Sequence, residues 1–564
     1  VQQMNRNSQQ HFATTPNMNI ARSKFDRSHT HKTTWNVGDL VPFYCDPAIM
    51  PGDTVQMDIS HVTRMMTPIV PVMDNLSADF YFFFIPNRLV WEHWTEFMGE
   101  NKTEPWAQLT EYQIPQLVAP DGGWSVGTLA EHFGYPIGVK YKTSALPTRA
   151  YCLVWNEFFR DENLKNPAYI SMGDSDTTGK DIDPDNDYVT DAETGACFLK
   201  VAKNFDYFSA ALPQAQKGPA VNVPLGQKAP VFWGKPDEPY TDSYPADTNL
   251  PGKQVGIRVA SGNMSTPYSG SDGGDVQPIS NSSLSMYTDL SNAVGATVNQ
   301  LRQAFAVQKW FERAATSGTR YIETIRAHFG VTNPDFRLQR PEYLGGFRQQ
   351  IQMNQVVQTD SSGEYSVWDS TLETPGWVTK DKSPQGNTAA YSLTSDRKKG
   401  LFTHSFTEHG ILLGVMCCRV TSHSYQQGLN ALFSAKEKFD LYWPEFAHLG
   451  NQGIKNKEIY IQGTSDDEEI FGYQEAWSSY RYMPDIITGE FRSNAPQSLD
   501  IWHYGDYYES LPTLSSEWID EDPANVKRTL AVQDHDMLES DILCKAYYTR
   551  PMPLYSTPGL IDHY

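Results

Sequence analysis

The chain has 564 residues, of which 39% are hydrophobic, 13% aromatic and 20% charged, with a formal net charge of -22. It has the apolar matter for a large core, but it exceeds the roughly 250–300 residues at which single cores stop growing, so several domains or one core with large insertions are expected. A charge of -22 excludes a protein whose whole surface grips phosphate, and no run approaches the roughly 18 apolar residues that cross a bilayer, so no membrane insertion is expected.

The opening VQQMNRNSQQHF lacks the apolar segment of a signal peptide, which predicts folding in a cytoplasm, and a start at Val1 fits removal of an initiator Met before a small residue. Charge is unevenly spread. Residues 1–34 hold Arg6, Arg22, Lys24, Arg27 and Lys32 against Asp26 alone, a net of +4, leaving -26 on the rest. A basic, solvated N-terminal arm is expected to precede an acidic body that spans 35–564.

From Trp35 onward short apolar runs are broken by Pro and Gly, which reads as strands. In PGDTVQMDISHVTRM the apolar Val55, Met57 and Ile59 alternate with polar residues, predicting a half-buried strand. ADFYFFFIP (78–86) holds a continuous aromatic run ended by Pro86 and predicts a strand covered on both faces. VWEHWTEFMG (90–99) and YCLVWNEFFRDENLKNP (151–167) carry helical texture. Residues 172–195 concentrate Asp174, Asp176, Asp181, Asp183, Asp185, Asp187, Asp191 and Glu193 around the lone Lys180, too much like charge for a buried element, so an acidic surface loop is expected. Residues 226–286 contain eight Gly and seven Pro and read as a long surface insertion, with WGKP and QVGIRVA as short hairpin strands.

A helix is predicted over LSNAVGATVNQLRQAFAVQKWFERAATSG, where Val294, Val298, Leu301 and Phe305 share a face, Ser291 caps the start and Gly318 closes the end. A second follows in TRYIETIRAHFG, ended by Gly330. GILLGVMCCRV (410–420), EIYIQG (458–463) and CKAYYTR (544–550) are strand candidates far apart in sequence, so long-range antiparallel pairing is implied. The fold class is mainly β, a sandwich or jelly roll with helices in long insertion loops.

Chemistry-bearing motifs are sparse. Cys45, Cys152, Cys197, Cys417, Cys418 and Cys544 show no CxxC pair, and alternation along a strand separates the adjacent Cys417 and Cys418; buried free thiols are expected. Asp183, Asp185, Asp187 and Asp191 match the early positions of a calcium loop, but the turn position is Tyr188 and the twelfth is Thr194, so no metal is assigned. His29, His31, His404 and His409 form no ligand pattern. The carboxylate runs SDDEE (465–469) and IDEDP (519–523) leave an alternative open, a glycoside hydrolase or a non-catalytic jelly-roll carbohydrate-binding protein. No catalytic residue and no cofactor is assigned.

Long ordered blocks, NQLRQAFAVQK (299–309), GTRYIETIRAHFGV (318–331), RLQRPEYLGG (337–346), YWPEFAHLGNQ (442–452), FGYQEAWSSYRYMP (471–484) and RPMPLYSTPGL (550–560), closely resemble the major capsid proteins of gokushovirus-type microviruses. So does RSKFDRSHTHKTTWNVGDLVPFYCDPAIMPGD near the N-terminus. The resemblance covers nearly the whole chain outside 172–195 and 226–286. It implies an eight-stranded antiparallel jelly roll with long insertions, repeated in a T=1 icosahedral shell around a circular single-stranded DNA genome. It also implies a small basic internal DNA-binding protein and assembly in the host bacterial cytoplasm. On this reading Arg6, Arg22, Lys24, Arg27 and Lys32 lie near the DNA. The 226–286 insertion, with Phe232, Trp233 and Tyr240, forms a threefold protrusion that meets a host cell-surface receptor.

Overall fold

A computed structural model of the chain describes residues 21–102, 111–219, 221, 231–235, 238–239, 258–260, 263–265, 286–288, 298–357, 364–369, 376–381 and 388–555. Arg6 and Tyr240 lie outside these residues, as do Ser291 and Val294 of the predicted helix. The protein is mainly β. Nine strands carry the core: β1 (Ser23–Asp26), β2 (His29–Trp35), β3 (Val41–Ile49), β4 (Thr54–Met65), β5 (Leu76–Pro86), β6 (Glu342–Gln350), β7 (Thr394–Ser405), β8 (Gly410–Val420) and β9 (Leu538–Arg550).

They form two antiparallel sheets. One runs β1-β9-β4-β7, with β2 also on β9, and the other runs β6-β5-β8-β3. From β2 onward the pairing is nested. The first strand of the series pairs with the last, β2 with β9, and β3 pairs with β8. Inside these, β4 pairs with β7 and β5 with β6. Long-range antiparallel pairing is thus present, as the scattered strand candidates required.

Alternation explains the layers. On β4, Val55, Met57 and Ile59 point inward against Phe80, Phe82 and Phe84 of β5 and Ile542, Cys544 and Ala546 of β9, forming a core between the two sheets. Phe83 and Ile85 leave β5 on its other face and pack with Ile411, Leu413 and Val415 of β8 against α1 (Leu146–Val154), Trp91 and Trp155. The continuous aromatic run of β5 is therefore covered on both faces, and each buried Phe contributes about 1.5–3 kcal/mol. Cys417 and Cys418 fall in opposite cores, and all six cysteines are free.

Several expectations change. EIYIQG is not a strand: Asn456–Ile459 is a helical turn, because the Glu458 carboxylate accepts the Lys455 N–H at 3.0 Å and closes it. The local strands are Gln452–Lys455 and Ile470–Gln474. The helix expected over 151–167 starts earlier, with Pro147 in its first turn, and ends sooner, through a π-helical turn at Trp155–Phe159 after which Arg160 is extended. In 90–99 only Trp94–Phe97 is helical. α2 (Val298–Ser317) and α3 (Tyr321–Phe329) follow the prediction, α3 ending at Gly330 with φ 69°.

The acidic segment is only partly solvated. Asp183 and Asp185 are exposed, but Glu193, 2% exposed, faces the fully buried Arg149 at 3.3 Å. Asp191 is buried and takes Lys180 at 2.6 Å, and Asp187 caps the Tyr188–Asp191 turn. Like charge is tolerated because individual carboxylates serve as caps and ion-pair partners.

The chain divides into two units, Val1–Lys217 with Glu312–Tyr564, and Gly218–Phe311. In the second, Val231–Lys235 pairs with Glu238–Pro239 and with Met286–Thr288, setting Phe232 opposite Tyr287 and Trp233 opposite Met286. Arg258–Ala260 pairs with Asn263–Ser265. The two hairpins fall where WGKP and QVGIRVA suggested them.

Candidate genome-facing surface and buried charge network

The two sheets differ in their far faces. Where the central strands β5 and β8 of one sheet are covered on both faces, the β1-β9-β4-β7 sheet has one face in the core and a polar one outside. Strand alternation places Lys24 and Lys32 on that outer face. Register adds Arg64 of β4 opposite Glu539, Lys545 of β9 opposite Asp58, and Arg397 of β7 opposite Ser60. Asp26 and Asp541 complete a face in which cations and carboxylates nearly balance, on a chain of -22.

Residues 23–26 and 29–34, expected within a solvated arm, are instead built into the sheet, the second strand running on to Trp35. Lys24 sits over the Tyr547 ring, 4.4 Å from its centroid, and Lys32 lies 3.9 Å from Asp541 with both side chains well exposed. Arg22 is tied down, donating to Thr54 Oγ1 at 2.8 Å and the Thr549 carbonyl at 3.2 Å. Arg27 pairs with the buried Asp46 and covers the Tyr548 ring at 4.7 Å. Four of the five basic residues thus gather along β1, β2 and β9. Beside them a cleft of about 910 Å³ is lined by Lys32 and Arg64 but also by Glu131, Asp536, Glu539 and Asp541, so its lining does not select phosphate.

A second group was not anticipated. His423, Asp506 and Glu521 are buried together, His423 Nδ1 lying 3.6 Å from Asp506 and Nε2 3.3 Å from Glu521. Lys203 Nζ is 3.5 Å from Asp506, and it also lies 4.6 Å from the Trp518 ring centroid. Burial alone lowers the imidazole pKa, yet the two carboxylates outweigh it and raise it to about 10. Burial also disfavours ionised Asp506, but Lys203 and His423 hold its carboxyl well below the usual range. These charges join four segments, around 203, 423, 506 and 521, and the Tyr508 hydroxyl donates to Asp506 at 3.3 Å.

The other carboxylate runs are structural too. Asp467 accepts the Gln462 and Gly463 N–H groups at 2.9 and 2.7 Å, Glu468 takes Lys455 and Lys457, Asp520 takes Lys165, and Asp522 caps Pro523–Lys527. Among the described residues no group of three or more His, Cys, Asp or Glu is placed to hold a metal ion, and no helix is long and apolar enough to cross a membrane.

A two-sheet antiparallel sandwich is compatible with a viral shell subunit, and the comparisons with known proteins decide the matter. The profile of a family described as capsid protein (F protein) matches residues 13–560. The chain belongs to the phage capsid protein (F protein) family. This capsid protein is 40% identical to capsid protein VP1 of Bdellovibrio phage phiMH2K, the alignment taking in 99% of both chains. It is 36% identical to capsid protein VP1 of Chlamydia phage 1 over 97% of both chains, and 38% identical to that of Spiroplasma virus 4 over 96% of both. It is a major capsid protein of the microvirus type and a structural component of a virion.

Proposed function

We propose that the capsid protein is an eight-stranded jelly roll, β2 to β9, that assembles into a T=1 icosahedral shell around a circular single-stranded DNA genome. Its function is assembly and not turnover. The nested pairing supports the jelly roll: first strand with last, second with second-last, and so inward to β5 with β6. Rolling such a series up yields two four-stranded sheets whose consecutive strands mostly alternate between layers. A closed shell requires heterologous contacts, which the loops between strands have the length to supply. Assembly takes place in the host bacterial cytoplasm, and the 226–286 insertion contributes an outward protrusion for a host cell-surface receptor.

The uncovered face of the β1-β9-β4-β7 sheet, entered by the N-terminal segment, is the proposed genome-facing floor. Arg6, Arg22, Lys24, Arg27 and Lys32 lie near phosphates, with Lys24 and Lys32 on that face itself, and Tyr547 offers a ring for base stacking. A net of +4 per subunit in residues 1–34 is small against a packaged genome, so polyamines, metal ions or a small basic internal protein neutralise most of the phosphate.

Changing all five residues to Gln is expected to lower DNA retention and its salt sensitivity. Because Arg27→Gln also removes the nearer of two cations at the buried Asp46, Arg550 standing 3.8 Å away, the double change Lys24→Gln with Lys32→Gln isolates the phosphate role. For single-stranded DNA two lost contacts reduce the salt slope by about 1.4 per subunit. Salt-release curves of particles carrying the double change test this; a slope equal to that of the unaltered protein removes these lysines from the genome surface.

A further inference from the structure

We propose that the platform formed by residues 431–449 and 477–487 is a contact surface between two copies of this chain. The proposal rests on the shell reading and adds the surface that makes the contact. Phe433 is 76% exposed, Ile486 69%, Met483 66% and Phe439 57%, with Tyr442 and Trp443 about half exposed beside them. Phe433, Met483 and Ile486 line one cavity of about 180 Å³, floored by Phe208, Tyr425 and Tyr482. The remaining rings are contiguous: Tyr442 stands 5.6 Å from Trp477 and 6.2 Å from Tyr480, and Phe439 stands 5.9 Å from Phe446.

These side chains are held, not loose. The Trp443 indole N–H donates to the Lys438 carbonyl at 2.7 Å and that of Trp477 to the Phe446 carbonyl at 2.8 Å. The Tyr480 hydroxyl oxygen accepts the Tyr442 N–H at 3.2 Å, and the Asp440 carboxylate accepts the N–H groups of Lys436 and Glu437. Much polar capacity is thus satisfied within the platform while carbon faces point to water. That is the arrangement of a preorganised interface, because rigid aromatic anchors lose little entropy on docking. A patch of this kind on a water-soluble subunit marks an interaction site.

Charge selects the occupant. The platform carries Lys436, Lys438 and Arg481 interleaved with Glu437, Asp440, Glu445 and Asp485, so a second copy can set cation against carboxylate across the contact. Like-charged copies meet at least cost where the local charge cancels. A strongly basic partner would find little here to pair with.

The test uses the full chain produced in bacteria, with particles counted by sedimentation and electron microscopy, for the unaltered protein, Phe433→Asp, Met483→Asp and the conservative Phe433→Leu. Loss of one anchor that acts as an interface hot spot lowers pairwise association ~30-fold. Both Asp variants are therefore expected to remain as subunits that melt at the unaltered temperature, while Phe433→Leu yields particles. Asp variants that assemble as well as the unaltered protein overturn the inference, and they point to a receptor if only host adsorption falls. An unaltered chain that stays monomeric overturns the shell reading as well.

Discussion

Replacing His423 with Leu is expected to destabilise the subunit by about 3–5 kcal/mol, because it leaves Glu521 buried without its paired cation and takes from Asp506 one of its two, Lys203 remaining. Its pH dependence distinguishes this from a simple packing defect. The folded pKa of His423 is raised to about 10, above the ~6.5 of an unfolded imidazole. The folded state therefore binds the proton more tightly. Its contribution is fully present below pH ~6.5 and is lost as pH rises through about 10. Denaturant unfolding of dissociated subunits at pH 6, 8 and 10 checks this. The unaltered protein should lose stability across that range more steeply than His423→Leu, and the two should converge at the alkaline end. A variant within about 1 kcal/mol of the unaltered protein at pH 6 would show that the buried charges are not coupled to folding.

Exchange of residues 226–286 for a short Gly/Ser linker should leave DNA-filled particles that adsorb to host cells at least ~10-fold more weakly, as expected when an attachment surface loses its anchors. The β-sandwich does not depend on the segment, because all nine core strands lie in the unit Val1–Lys217 with Glu312–Tyr564. Loop length itself matters little, since closure entropy changes by only about 0.6 kcal/mol per doubling. Phe232 and Trp233 sit on a strand within the exchanged segment, and their removal takes away the apolar anchors assigned to the protrusion. Counting unadsorbed particles after mixing with host cells is the measurement. Normal adsorption removes the attachment role, and failure to form particles shows that the segment supports the shell.

Strands whose apolar pattern is strong were legible in the sequence. Val55, Met57 and Ile59 announced β4, the Phe run announced β5, and GILLGVMCCRV announced β8 with its two cysteines on opposite faces. EIYIQG failed because a three-residue apolar run cannot report a capping contact such as Glu458 with the Lys455 N–H. The acidic segment failed for a related reason. Composition registers like charge but not that Arg149, more than forty residues away, waits for Glu193. Lys545, Arg64 and Arg397 were invisible as neighbours of Lys24 and Lys32, since only strand register brings residues 24, 64, 397 and 545 to one face. His423 carried no signal, its carboxylates lying 83 and 98 positions downstream.

The shell reading is tested most directly by electron microscopy of particles purified from cells that carry the full genome, with nuclease digestion before DNA is extracted. Closed icosahedral particles of one size, containing nuclease-resistant circular single-stranded DNA and this chain as their main protein, are the expected result. A monodisperse monomer with no protected DNA, or one that hydrolyses polysaccharide and loses that activity on a single carboxylate substitution, would contradict it.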